Sequence, residues 1–241
     1  MEIIISKSKK ESIKKAVSII SNIIKKKPKS VLGLATGNTV IPLYKELVKK
    51  YKKSEINFSK VSTFNLDEYS DLSENDKKSF HYFMNKYFFN HVNISKENIH
   101  FPDSNFEKYE KEIKKSGGID LQILGIGHNG HIGFNEPGSS FHSKIRKIKL
   151  SDDTKKFNSK FFRLSRKVPK YAFTMGIKTI MNSKKIILLA FGKEKAEAIA
   201  KTVHGKITTK VPASILRKHK NAILIIDKKA AGKLKQNHNK I

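Results

Sequence analysis

Short apolar runs separated by helical stretches recur along the whole chain, and this alternation restricts the fold more than any other feature. Residues 30–35 read S-V-L-G-L-A, 61–66 V-S-T-F-N-L, 119–124 I-D-L-Q-I-L, 185–191 K-I-I-L-L-A-F and 222–226 A-I-L-I-I. Apolar, β-prone runs of this length, bounded by turn residues, are the pattern of strands buried on both faces. Further short strands are predicted at 3–5, 99–101 and 171–176. Between the strands the apolar period lengthens to that of a helix. Over 6–27, Ile13, Ala16, Val17, Ile20 and Ile24 share one face with lysines opposite, and Pro28 ends the run. A helix at 40–53 tolerates Pro42 in its first turn. A helix at 78–90 has Phe80, Phe83, Met84, Tyr87 and Phe88 as its apolar side, and one at 105–115 is stopped by Gly117 and Gly118. A helix at 193–203 and shorter pieces ending near 181 and spanning 211–218 complete the set. Strands alternating with helices at this spacing imply βαβ units in a mainly parallel, open α/β sheet, Rossmann-like, with helices on both faces.

Residues 139–170 break the pattern. They are basic, polar and longer than a simple connection needs, which predicts a mobile lid with a short helix near 154–161. No internal repeat or domain boundary is visible, so 1–241 reads as one α/β domain containing this lid.

Charge has to be weighed before any site is chosen. The formal net charge is +29, which by itself points to polyanions. The lysines are spread along the chain, however, as in Lys25-Lys26-Lys27, Lys49-Lys50 and Lys184-Lys185, mostly on polar helix faces. No aromatic-interleaved RNA-binding pattern is present, and no specific nucleic-acid partner is expected. The chain has no Cys, which excludes disulfides, thiol catalysis and thiolate metal sites. Met1–Lys7 is too short an apolar run for a secretory signal, and no segment approaches the roughly 18–20 apolar residues of a membrane span. A cytoplasmic protein without membrane contact is the expectation.

Four loops follow apolar strands, and in a parallel sheet such loops gather at the carboxyl edge. The first is Thr36-Gly37-Asn38-Thr39 ahead of a helix. It suits a phosphate on a small molecule or serves as a plain helix-capping turn, and it lacks both the P-loop and the G-x-G-x-x-G pattern. The second is Asn65-Leu66-Asp67-Glu68-Tyr69. Its two adjacent acids suit a metal, a general base or a helix cap, and only one of them can face a substrate directly. The third, Gly125–Pro137, reads G-I-G-H-N-G-H-I-G-F-N-E-P. Its glycines let backbone approach another molecule closely, and its His131 with Asn129 and Glu136 favours acid–base chemistry over a metal site, which needs more ligands at suitable spacing. The fourth is Gly192-Lys193-Glu194-Lys195, where Lys195 at a helix start reads as an anion contact or as one more solvated lysine.

Together these stretches resemble the glucosamine-6-phosphate deaminase (isomerising) family. The residues that carry the resemblance are L-G-L-A-T-G-N-T at 32–39, S-T-F-N-L-D-E-Y at 62–69, I-D-L-Q-I-L-G-I-G-H-N-G-H-I-G-F-N-E-P-G at 119–138, V-P-K-Y-A at 168–172 and L-L-A-F-G-K-E-K-A at 188–196. The resemblance implies conversion of glucosamine 6-phosphate and water to fructose 6-phosphate and ammonia, with no metal and no organic cofactor. It implies that His131 opens the sugar ring with Asn129 and Glu136 tuning it, and that Asp67 carries the C2 proton. It implies a phosphate site of Gly37, Asn38 and Thr39 with Lys195 and the lid residue Lys160. His128 has no step to perform.

Three departures from the family pattern carry expectations. Lys160 stands where the family usually has Arg, so phosphate is held without a bidentate fork. Asn38 replaces a glycine, and Asn tolerates positive φ better than most residues. The R-I-K-T-L run of members activated by N-acetylglucosamine 6-phosphate is here R-K-I-K-L at 146–150, and the long C-terminal segment of those members is lacking, so no such activation is expected. A 6-phosphogluconolactonase shares the fold but needs no carbon base, and a sugar-phosphate-sensing domain could dispense with Asp67 or His131. The chain keeps both residues.

Overall fold

The computed structural model describes residues 1–151, 154 and 169–235. Seven strands form one fully parallel sheet. They are β1 (Glu2–Ser6), β2 (Val31–Leu34), β3 (Ser62–Asn65), β5 (Ile99–His100), β6 (Leu121–Leu124), β9 (Ile186–Ala190) and β10 (Ala222–Asp227). Their order is β1-β10-β9-β6-β2-β3-β5. The central strands β2, β6, β9 and β10 are buried at every residue, as their largely apolar runs require.

The order dictates where the helices lie. From β1 to β2, β2 to β3 and β3 to β5 the chain moves one way across the sheet, through α1 (Lys9–Lys26), α2 (Ile41–Lys52) and α3 (Phe80–Tyr87). From β5 to β6 and β9 to β10 it moves the other way, through α4 (Phe106–Lys115) and α6 (Ala196–His204). Right-handed crossovers then put the first three helices on one face and the other two on the opposite face, and α1 does pack on α2, and α2 on α3. α1 buries the predicted stripe of Ile13, Ala16, Val17, Ile20 and Ile24 and is capped by Ser8, whose Oγ accepts the Glu11 N–H at 3.2 Å.

Three segments differ from the sequence reading. Residues 171–176 are not a strand of the main sheet. Tyr171–Thr174 forms β8, the middle of a separate antiparallel sheet between β4 (Asp67–Tyr69) and β7 (Arg146–Lys149). Asp67–Tyr69, read as the turn after β3, is itself a strand. Arg146–Lys149, read as broken lid, pairs residue for residue with β8. These strands are three or four residues long, and their partners lie far away in the chain, so no local period marks β4 or β7 and none tells which sheet β8 joins. Tyr69, Phe134, Leu150 and Ala172 form a small second core under this sheet. The short helix α5 (Ile177–Met181) then leads back to β9. Of the helix expected at 154–161, all but Thr154 lies outside the described residues.

Asp120 ties the amino edge of the sheet together. Its carboxylate accepts from Lys27 Nζ at 2.6 and 2.8 Å, Lys184 Nζ at 2.8 Å and the Val31 N–H at 2.8 Å. Burial opposes its charge, but the bonds from Lys184, Lys27 and Val31 outweigh this and hold the carboxyl below its usual range. A depressed folded pKa contributes stability above the ordinary carboxylate value of about 4, which is lost as pH falls through the folded value. Asp120→Asn should therefore lower unfolding free energy by about 1–2 kcal/mol at pH 7, and urea melts should show the difference from wild type shrinking under acid conditions.

Candidate active site

The strand order reverses between β2 and β6. The connection leaving β2 runs toward β3, and the one leaving β6 runs toward β9, so the two loops part and leave a crevice at the carboxyl edge. A cavity of about 750 Å³ opens there. Thr36, Gly37, Asn38 and Thr39 line it from β2, Asp67 from β4, Gly125 to His128 and His131 from β6, and Glu194 and Lys195 from the loop after β9. Eight of the nine residues singled out in the sequence are described. Six of them line this cavity, while Asn129 and Glu136 stand behind His131. The ninth, Lys160, lies outside the described residues.

The 125–137 loop builds a relay whose proton positions follow from bonding logic. Glu136 Oε2 accepts from Asn129 Nδ2 at 2.8 Å, and Asn129 Oδ1 contacts His131 Nδ1 at 2.7 Å and accepts the His131 N–H at 3.2 Å. A carboxylate only accepts, so the NH₂ end of Asn129 must face Glu136. The amide oxygen then faces His131, so Nδ1 must carry the ring proton, and Nε2 is left as the basic nitrogen. Glu136 also stands 3.5 Å from Nδ1, close enough to stabilise an imidazolium once His131 takes a proton. Burial raises the Glu136 pKa, but bonds and charge from His131, with bonds from Thr154 and Asn129, take it down to about 2. The anion on which the relay depends is thus present across the neutral range. Thr154 was not anticipated, because nothing in a broken polar run marks one threonine.

Two further features hold this loop. Asn135, fully buried, donates from Nδ2 to the carbonyls of Ile132 and Met175 at 2.9 Å, and its Oδ1 accepts from Arg146 Nη1 at 3.0 Å. Arg146 of β7 therefore braces the N-E-P segment, a task that the sequence did not reveal. Gly127 supplies the space for the imidazole. Its backbone is not left-handed, yet a Cβ there would lie 2.1 Å from His131 Cε1.

Asp67 is a different kind of carboxyl. It is 7% exposed, and no described residue donates a hydrogen bond to it. Burial, with the nearby Glu68 charge adding to it, pushes its pKa up to about 8. Adjacent strand residues face opposite sides, so Asp67 enters the cavity while Glu68 turns to α3. This resolves the two-acid ambiguity in favour of one group in the cleft and one helix cap. Phe80, Phe83 and Tyr87, read as the helix's apolar side, are partly exposed and wall the cavity, and only Met84 of that face is buried within α3.

At the other end of the cavity, Gly37 takes φ 103°, so the left-handed turn falls on the glycine. Asn38 does not adopt positive φ, and its substitution for the family's glycine carries no backbone strain. No described side chain caps α2, so among the described residues its positive end is open to an anion. Lys195 is half-buried, with its pKa lowered mainly by burial, and its Nζ donates to the Ile126 carbonyl at 2.9 Å.

A parallel α/β sheet with a His–Asn–Glu chain, a second, buried carboxyl and an open helix end at its switch point is the arrangement of an acid–base enzyme. The chain belongs to the family of glucosamine-6-phosphate isomerases and 6-phosphogluconolactonases, whose model matches residues 7–225. A glucosamine-6-phosphate deaminase of Thermoanaerobacter sp. is 53% identical over 238 residues, covering 96% of this chain and 94% of the relative. A solved monomeric glucosamine-6-phosphate deaminase is 40% identical with a TM-score of 0.93, covering 97% of this chain and all of that one. A 6-phosphogluconolactonase from Thermotoga maritima, 21% identical with a TM-score of 0.73, covers 94% of this chain and 98% of that one and shares the fold alone.

Gly127→Ala tests the relay without reference to any reaction. Histidine NMR should show the His131 ring displaced and its Nδ1 proton no longer held by Asn129, while the thermal melt falls by only a few degrees. An unchanged His131 spectrum would mean that the loop relaxes around the added methyl group.

Proposed function

We propose that the chain converts glucosamine 6-phosphate and water to fructose 6-phosphate and ammonia. The observation that carries this reading is the presence of two distinct acid–base groups, His131 and Asp67, on one cavity that also holds an anion cradle. The reaction needs two such groups. The C2 proton becomes acidic only when C1 is an open-chain aldehyde, so one group opens the ring and another moves the carbon proton. Ester hydrolysis of a lactone gives a buried, proton-retaining carboxyl nothing to do.

His131 Nε2 takes the O1 proton and returns a proton to the ring oxygen, while Glu136, acting through Asn129 and by its charge, stabilises the passing imidazolium. Asp67 then removes the proton from C2 while O1 takes up a proton, giving an enolamine, and delivers its proton to C1 while the amino nitrogen gives one up, leaving an imine at C2. Water adds to that carbon and ammonia leaves. Each acid–base step is worth roughly 10²–10⁴ in rate. The phosphate sits on Gly37, Asn38 and Thr39 at the open end of α2 with Lys195, and Lys160 is assigned to it by resemblance. A hexose phosphate is charged and does not cross membranes unaided, which favours a cytoplasmic site of action. Among the described residues no helix is long and apolar enough to cross a membrane.

The test measures ammonia and fructose 6-phosphate released from glucosamine 6-phosphate. Wild type should release both in equal amounts, and Asp67→Asn should lose about 10³-fold or more in kcat. Lactone hydrolysis without ammonia release would replace this reading with a lactonase.

The pH profile gives a second check. Asp67 works only when deprotonated, so kcat/KM should rise with pH through about 8 in the free enzyme. A profile flat across that range would remove Asp67 from the carbon-proton step.

A further inference from the structure

Glu68 is 5% exposed and lies outside the cavity, yet its carboxylate accepts four hydrogen bonds. Oε1 takes the Tyr69 N–H at 2.7 Å and the Phe80 N–H at 3.0 Å. Oε2 takes the His81 N–H at 2.9 Å and faces His81 Nδ1 at 2.8 Å. The Tyr82 N–H goes to Ser79 Oγ at 3.0 Å. The first three N–H groups of α3 are therefore spent within the protein, in contrast to the uncapped start of α2. This helix end is not available to a substrate anion. It is bolted to β4 instead.

His81 is held just as closely. Its ring stacks on Phe101 with centroids 3.6 Å apart, and its Nε2 lies 3.5 Å from Glu74. The bolt thus joins three pieces: β4, which carries Asp67; the turn of α3, which carries Phe80 and leads to Phe83 and Tyr87; and Phe101 after β5. β4 has only three residues, and its pairing to β8 is a slender support for a catalytic carboxyl.

We propose that Glu68 is a positioning residue for the carbon-proton step: its carboxylate locks the first turn of α3 to β4, setting together the direction of Asp67 and the placement of the aromatic wall. This rests on the deaminase reading of the cleft. It gives the second acid of the D-E-Y run a task although only the first enters the cavity. The Glu68 charge also bears on Asp67 directly, since it adds to burial in raising that carboxyl. The other titratable groups around Asp67 are Tyr69 on its own strand, Tyr44 from α2, Tyr109 from α4 and His131 across the cleft. The three tyrosines are raised mainly by burial and stay neutral. β8 faces Asp67 with Thr174, which does not titrate.

Glu68→Gln keeps the shape, keeps one acceptor and removes the charge. The expected protein is folded, with kcat lowered about tenfold or more and KM within a few-fold of wild type. The acid limb of kcat/KM should move to lower pH, because a negative neighbour of Asp67 is gone. Amide hydrogen exchange at Phe80 and His81 should quicken, and this readout does not depend on the reaction, so it stands even if wild type releases no ammonia. A wild-type kcat and pH profile in Glu68→Gln would overturn the proposal, as would a lowered kcat with an unmoved acid limb and unmoved exchange at those two amides. If Glu68→Gln fails to fold, His81→Phe keeps the stack on Phe101 and removes one donor. Faster exchange at the amides of positions 80 and 81 with a lowered kcat then supports the bolt, and wild-type values for both overturn it.

Discussion

The reversal of strand order between β2 and β6 is the constraint on which everything else depends. Connections in a parallel sheet turn one way only, so strands added to opposite sides of a central pair send their following loops apart. The gap cannot be filled by either connection. It becomes a crevice lined by whatever the two strands and their neighbours deliver at their carboxyl ends: the Gly37 turn from β2, the glycine loop from β6 and Lys195 after β9. The apolar interior then needs only to keep the strands in register. Asp120, held by Lys27, Lys184 and the Val31 N–H, does this at the opposite edge, away from the chemistry.

The small antiparallel sheet supplies what the parallel sheet cannot. Loops at a switch point present groups to solvent, whereas a carboxyl whose pKa is raised by burial needs a dry position on a firm backbone. β4 gives Asp67 both, since it is buried beneath the cavity wall and paired to β8. β7 adds Arg146, which braces Asn135 and so the segment ahead of Glu136. Two carboxyls are thereby driven in opposite directions. Glu136 is surrounded by donors and goes down, while Asp67, to which no described residue donates, goes up. Groups separated in this way can serve different proton transfers in one site.

Much of this was legible locally. The buried strands announce themselves by largely apolar runs, and the amphipathic stripe of α1 is found where its period puts it. The glycine loop, the D-E-Y run and the turn at Gly37 are recognisable because close packing of chemistry against backbone demands particular residues at particular spacing. The sequence marks β8 as a strand but not the sheet it joins, and it does not mark β4 or β7. β4, β7 and β8 are too short to show a period, and they exist only because distant segments pair. The aromatic face of α3 is legible as an apolar side, but composition does not tell a cavity wall from a core face, since both use the same side chains.

The sequence by itself determined the class of fold and the stretches that gather at the cavity, because strand burial, helix period and glycine-rich loops are written in neighbouring residues. Tertiary structure alone decided which of Asp67 and Glu68 enters the cleft, which nitrogen of His131 is basic, and that Arg146, Thr154 and Asn135 hold the relay. Those outcomes depend on hydrogen-bond partners brought from other parts of the chain. A donor or acceptor acquires its role only when its partner is in place, and no local pattern records that partner.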